Sequence, residues 1–89
     1  MKPLNKPIPK SHLRQSENQM VALIWGRAKA LGFGRLELAR IMECSTATVN
    51  KRRLHPQNFT AGELIRLCVY LDIPPGEMAK AMTGGEKAC

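Results

Sequence analysis

The amino-acid sequence predicts an all-α protein, a compact bundle of about five short helices. Apolar residues recur at helical spacing along the chain, no segment shows the alternation of a strand, and glycine or proline separates most of the periodic segments. With 89 residues, the chain has room for one domain at most. We expect that domain at residues 16–83, between a flexible basic arm at residues 1–15 and a short disordered tail at residues 84–89.

The arm is predicted from its composition. Its first eleven residues, MKPLNKPIPKS, contain three prolines and three lysines. Prolines at this spacing exclude a helix, and the lysines keep the segment in water.

The first helix is predicted from Glu17 to Leu31. Ser16 is the expected N-cap, and Gly32 ends the helix. Trp25 lies on a flank of this helix, where it serves either the core or a partner contact. The predicted apolar stripe is Met20, Val21, Ile24, Ala28 and Leu31.

The second and third helices are predicted over residues 35–42 and 46–53, joined by a tight turn. Ser45 is the expected cap of the third helix, and Val49 anchors that helix in the core. The predicted inner face of the second helix consists of Leu36, Leu38, Ala39 and Met42.

A loop at residues 55–58 precedes a fourth helix, predicted over residues 61–71. Thr60 and Glu63 have the spacing of a capping box, in which each side chain accepts a hydrogen bond from the other's backbone N–H. A fifth helix is predicted over residues 75–82. The apolar stripes of these two helices are Leu64, Leu67, Cys68 and Leu71, followed by Met78 and Met82.

The charge of the chain is positive and unevenly distributed. The formal net charge is +7 and the sequence pI is about 9.9, within the range typical of nucleic-acid-binding domains. Residues 1–55 hold eleven Lys and Arg against three Glu, a balance of +8, whereas residues 56–89 carry −1. The positive field therefore belongs to the first half of the chain.

Several classes of site are not indicated. Cys44, Cys68 and Cys89 form no metal-ligand or disulfide pattern, and His12 and His55 have no acidic or cysteine partner at useful spacing. We therefore expect no metal, no cofactor and no enzymatic activity. No apolar run approaches the roughly 20 residues of a membrane-spanning helix, and no signal peptide is indicated. The sequence thus predicts a soluble, cytoplasmic protein.

The outward side of the predicted third helix is small, polar and cationic. Three basic residues stand at positions 51–53, and no acidic residue lies between Ser45 and His55. A helix with such a surface fits the major groove of double-stranded DNA, where side chains reach the base edges. The outward residues are Thr46, Ala47, Asn50, Lys51 and Arg53.

Residues from about Ile24 to Met78 resemble the helix-turn-helix domain of the Cro and phage-repressor type, the XRE family. The family pattern has an apolar residue and alanine in the first motif helix, a capping serine near the turn, and an apolar residue four positions further on. A polar cap and a Leu-rich fourth helix follow. The matching residues are Leu38, Ala39, Met42, Ser45, Val49, Thr60, Leu64, Leu67 and Leu71.

The resemblance implies a lambda-repressor-like fold and a sequence-specific DNA-binding transcriptional regulator, a small repressor of phage or prophage type. Such a protein binds its operator as a homodimer through the major groove and is associated with the nucleoid in the cytoplasm. The DNA-binding residues implied are Arg35, Ser45, Thr46, Ala47, Asn50, Lys51, Arg52 and Arg53.

Side-chain chemistry suggests a role for each of these positions. Asn50 suits an adenine edge, Ala47 suits a thymine methyl, and the basic residues after Asn50 suit guanine or phosphate. Arg35 opens the second helix, where a phosphate would meet both its charge and the helix N-terminus. Two interpretations of the basic arm stay open: it is disordered without a function, or it contacts the DNA backbone. The arm residues concerned are Lys2, Lys6 and Lys10.

The sequence departs from the family pattern at two positions. Glu43 stands where the turn commonly has glycine, and a left-handed conformation there costs about 1 kcal/mol, unless the turn differs by a residue. Arg52 stands where the family usually has an apolar residue. Either its stem packs inward and its head reaches out, or the third helix ends early and Leu54 takes the core position.

Two alternative functions follow from these departures and from the charge. The chain could be a protein-interaction module, or an antitoxin of the same fold, whose basic surface meets an acidic protein such as a toxin. RNA binding is the weaker alternative, because RNA readers usually stack bases on aromatic side chains and this chain has few aromatic residues outside core-like positions.

Overall fold

A computed structural model describes residues 10–83, which form five α-helices and one short 3-10 helix, with no strand in this range. The all-α prediction is therefore confirmed. Lys2, Lys6 and the predicted tail lie outside the described residues. The helices are α1 (Lys10–Ala30), α2 (Arg35–Met42), α3 (Thr46–Leu54), α4 (Ala61–Tyr70) and α5 (Pro75–Met82), and the 3-10 helix (Pro56–Asn58) lies in the predicted loop.

The first helix begins seven residues earlier than predicted. It starts at Lys10 rather than Glu17, so residues 10–15 belong to the helix and not to the arm. Ser16 is buried inside the helix and caps nothing at its start. The physical reason is that residues 10–25 contain neither proline nor glycine, so nothing in them breaks the helix after Pro9.

The core lies where the five helices meet. α1 packs against α5, and α2 packs against both α3 and α4. Burying an aliphatic side chain completely stabilises a fold by about 1.5–3 kcal/mol, so a few such residues account for much of the core's contribution. The largest fully buried side chains are Ile24, Leu38, Val49, Leu67 and Leu71.

Three residues that the apolar pattern places inside are exposed instead. Leu36 is 65% exposed because it lies about 160° around α2 from Leu38, which faces the core. Leu31 follows the last residue of α1 and Met82 is the last residue of α5, so neither has a further turn to pack beside. On α4, the outward residues Ile65 and Val69 are also exposed.

The turn between α2 and α3 is a left-handed cap. Glu43 has φ 58° and ψ 48°, as the sequence predicts for a residue in a glycine position. The Cys44 N–H donates to the Ala39 carbonyl at 2.9 Å and the Glu43 N–H to the Arg40 carbonyl at 3.2 Å, the two bonds of a Schellman motif. α2 therefore ends at Met42, as predicted, and the chain turns directly into α3.

Glycine at position 43 is expected to stabilise the fold. The Glu43→Gly variant should unfold with a free energy about 1 kcal/mol higher than Glu43→Ala, because only glycine adopts a left-handed φ without steric cost. Chemical denaturation monitored by circular dichroism measures both. The alanine variant is the matched control, since it also removes the exposed ion pair between Glu43 and Arg66 (3.5 Å). Equal stabilities for the two variants would show that this turn is not strained.

Candidate nucleic-acid interface

The start of α3 is fixed by its cap and its anchor. The Ser45 hydroxyl accepts a hydrogen bond from the Thr48 N–H at 3.1 Å, which confirms the predicted N-cap. One turn further on, Val49 is completely buried against the core. Because these two contacts hold one side of the helix inward, the opposite side of α3 faces solvent.

The outward side of α3 brings together most of the residues predicted to read bases. Thr46, Ala47 and Lys51 are exposed, and Asn50 is half-buried. Leu54 lies on the same side and is 74% exposed, so the alternative in which it takes a core position is wrong. The sequence does not predict Leu54 as a surface residue of this site, although its position four residues after Asn50 places both residues on the same side of α3.

Arg52 points away from this surface. Its Nε donates to Glu63 Oε1 at 3.0 Å and its Nη2 donates to Oε2 at 3.4 Å, an ion pair that joins α3 to α4. Only about a fifth of the Arg52 side chain is exposed. The prediction that Arg52 contacts DNA therefore receives no support from its position, because its side chain is largely buried and two of its donors are engaged by Glu63.

Glu63 has a second set of contacts, which are those of the predicted capping box. Its Oε1 accepts from the Thr60 N–H at 3.0 Å, and its own N–H donates to Thr60 Oγ1 at 3.1 Å. Burial raises the pKa of the Glu63 carboxyl, but hydrogen bonds from Arg52 and Thr60 outweigh this effect and hold its pKa below the usual value. A buried, ionised glutamate thus ties the end of α3 to the beginning of α4.

Arg53 has a different environment from Arg52. Its guanidinium carbon lies 5.8 Å from the centre of the Trp25 ring, in the range of a cation–π contact. The Trp25 ring in turn meets Phe59 edge-to-face, with 6.4 Å between centroids. Trp25 and Phe59 are both half-buried and pack against the core, which confirms the core reading of Trp25.

An open cleft of about 740 Å³ lies beside Arg53. It separates the end of α1 from the start of α2 and the outer side of α3. The cleft brings together three residues predicted to contact DNA, namely Arg35, Asn50 and Arg53, and adds Lys29, which sequence reasoning missed. The i, i+4 spacing of Trp25 and Lys29 in the sequence indicates that both lie on one side of α1. No acidic residue lines the cleft.

The beginning of α2 forms one edge of the cleft. Arg35 is its first residue and is exposed. Glu37, in the first turn, accepts a hydrogen bond from the Gly34 N–H, and this bond lowers the pKa of the Glu37 carboxyl. The helix N-terminus therefore already holds one carboxylate, and Arg35 adds a cation beside it.

Comparison with known proteins gives no relative. No protein-family model, curated protein or solved structure matches the chain. Within residues 10–83 there is no cluster of metal-ligating side chains and no helix long and apolar enough to cross a membrane. Burial raises the pKa of the Cys44 and Cys68 thiols, so both remain protonated at neutral pH.

Proposed function

We propose that the protein is a sequence-specific double-stranded DNA-binding regulator, a small repressor that inserts α3 into the major groove. The observation that carries this proposal is the outward side of α3, where small and polar residues stand beside cations and no acid is present. Asn50 and Lys51 offer hydrogen-bond donors for base edges there. Neither side chain has a hydrogen-bond or ion-pair partner among the described residues.

The two departures from the family pattern do not oppose this proposal. Glu43 forms a cap in the conformation that the turn requires, at a cost of about 1 kcal/mol. Arg52 fills its inward position by pairing with Glu63. Both departures thus have a structural explanation that leaves the outer side of α3 free, and neither favours a module that binds a protein such as a toxin.

The proposal includes a two-fold homodimer. A recognition helix of this length reads only a few base pairs, and small repressors gain affinity by placing two such helices on half-sites about 34 Å apart. The protein would then act on palindromic operators in the cytoplasm, in association with the nucleoid, in the setting of a phage or prophage.

Selection of bound duplexes from a random DNA pool tests the function directly. We expect a consensus of two related half-sites about one helical turn apart. Such a consensus would report specificity, symmetry and half-site spacing in one experiment. If the protein binds every duplex in the pool with equal affinity, sequence-specific recognition is excluded.

Arg35 is expected to contact a phosphate rather than a base. Arg35→Ala should weaken binding to all duplexes alike and reduce the slope of log K against log salt concentration by about 0.9, the value for one released counterion. Fluorescence anisotropy at a series of salt concentrations measures the slope. Lys80→Ala is the matched control, because Lys80 is exposed on α5 and lines no part of the cleft. A loss confined to certain sequences would instead make Arg35 a base contact.

A further inference from the structure

We propose that Trp25 is a positioning residue for DNA binding, which holds Arg53 at the cleft so that its guanidinium meets one backbone phosphate. Lys29 and Arg35 complete the cationic surroundings of that phosphate. The inference rests on the proposed function, and it assigns to α1 a part in recognition that the helix-turn-helix pattern does not contain.

The geometry around Arg53 restrains its side chain in the free protein. Arginine is long and flexible, and fixing it on binding costs conformational entropy. Here its guanidinium already lies over the Trp25 ring, 5.8 Å from the centre. The ring is itself held by Phe59 and the core. Arg53 is therefore placed before any ligand arrives, and less entropy is lost on binding.

Within residues 10–83, the partner of Arg53 is an aromatic ring and not a carboxylate. Three other arginines of the described residues form ion pairs with carboxylates: Arg27 with Asp72, Arg52 with Glu63 and Arg66 with Glu43. Arg53 has no carboxylate within ion-pair distance among the described residues and contacts an aromatic ring instead. A ring restrains the side chain without cancelling its charge, and the edges of the guanidinium keep their donors.

The shape and charge of the cleft suit a phosphate. Three cations line it, from the ends of α1 and α3 and the start of α2. No acidic residue lines it, and the Glu37 carboxylate at its edge is engaged by the Gly34 N–H. A phosphate is the anion that repeats along DNA, and arginine forks match its oxygens with two hydrogen bonds. The cleft adjoins Asn50 on the outer side of α3, so a helix lying in the groove brings a backbone phosphate near the cleft.

A double-mutant cycle on a selected duplex tests the inference. Arg53→Ala should weaken binding about fivefold and lower the salt slope by about 0.9. Trp25→Leu should weaken it about threefold, the scale of one cation–π contact. In the Arg53→Ala background, Trp25→Leu should have no further effect, because the residue that it positions is gone.

Conservative variants separate positioning from a structural role. Trp25→Phe keeps an aromatic face and should recover most of the affinity. Arg53→Lys keeps the salt slope but should bind more weakly, because the ammonium lacks the planar fork. Circular dichroism checks that each variant folds, and Trp25→Met, which keeps an apolar side chain of similar reach without an aromatic face, replaces Trp25→Leu in the cycle if the leucine variant does not fold.

Two outcomes would overturn the inference while the proposed function stands. In the first, Trp25→Leu weakens binding by the same factor with and without Arg53, so that it acts through the fold. In the second, neither variant changes affinity although the wild-type protein still discriminates between duplexes. Failure of the proposed function is distinct from both, since the wild-type protein itself would then bind all duplexes equally.

Discussion

Replacing Glu63 by alanine is expected to lower the free energy of unfolding by about 2–3 kcal/mol. The substitution removes the hydrogen bonds that the carboxylate accepts from Arg52 and from the Thr60 N–H. It also leaves the largely buried Arg52 side chain without a counter-ion. Removing one partner of a buried pair costs more than the pair itself contributes, because the remaining charge stays poorly solvated.

Urea denaturation followed by circular dichroism measures this loss. Glu77→Ala is the matched control, because Glu77 also lies in a first helical turn but is exposed, and it should change stability by less than about 0.5 kcal/mol. Arg52→Ala should cost a similar amount to Glu63→Ala, and the double variant should cost less than the sum of the two. Additive effects would mean that the two side chains do not stabilise the fold as a pair.

The same carboxyl is expected to make the fold sensitive to acid. The pKa of Glu63 is lower in the folded chain than its ordinary value of 4.5, so the unfolded chain binds its proton more readily. The stabilisation is therefore complete above pH 4.5 and is lost as the pH falls through the folded-state pKa. In the Glu63→Gln variant, the loss of stability on acidification should be smaller, because this carboxyl is gone. The contribution of Glu37, whose pKa is also lowered, should remain in that variant.

The sequence predicts the parts of this fold that depend on local chemistry. The bounds of α2, the Ser45 cap and the capping box at Thr60 follow from hydrogen bonds between residues a few positions apart. The start of α5 follows from the proline at its first position. The left-handed conformation of Glu43 follows from the short turn in the same way. The start of α1 differs from the prediction because Ser16 has the chemistry of an N-cap, whereas no proline or glycine between Lys10 and Ser16 interrupts the helix.

The candidate site shows where local reasoning stops. Arg52 and Arg53 are adjacent and chemically identical, and the sequence places both on a basic edge. Only the fold separates them, because Glu63 of α4 draws Arg52 inward and Trp25 of α1 lies beneath Arg53. These partners are 11 and 28 residues away in the sequence, so no periodicity within α3 indicates them. The rule for such positions is that tertiary partners decide which charge is available to a ligand.

Asn50 carries the largest expected effect on DNA recognition. Its amide can form two hydrogen bonds with an adenine edge at once: the side-chain N–H donates to adenine N7, and the side-chain carbonyl accepts from the adenine N6 amine. Its place on the outer side of α3, one turn after Ala47 and beside the cleft, puts that amide on the surface proposed to face the groove. Its side chain has no hydrogen-bond partner among the described residues, so its donors and acceptor are available.

Asn50→Ala is therefore expected to lose about 1–3 kcal/mol of discrimination at one base pair of the selected site and to leave discrimination elsewhere intact. Anisotropy titrations against single-base variants of that site locate the loss. Lys51→Ala is the matched comparison, and if Lys51 contacts a phosphate it should weaken binding to every variant alike. Stability should not fall in Asn50→Ala, because alanine is the better helix former and no hydrogen bond within the fold is lost. If Asn50→Ala retains full discrimination at every base pair, α3 does not read DNA through this residue, and recognition must depend on Thr46, Ala47 and Lys51.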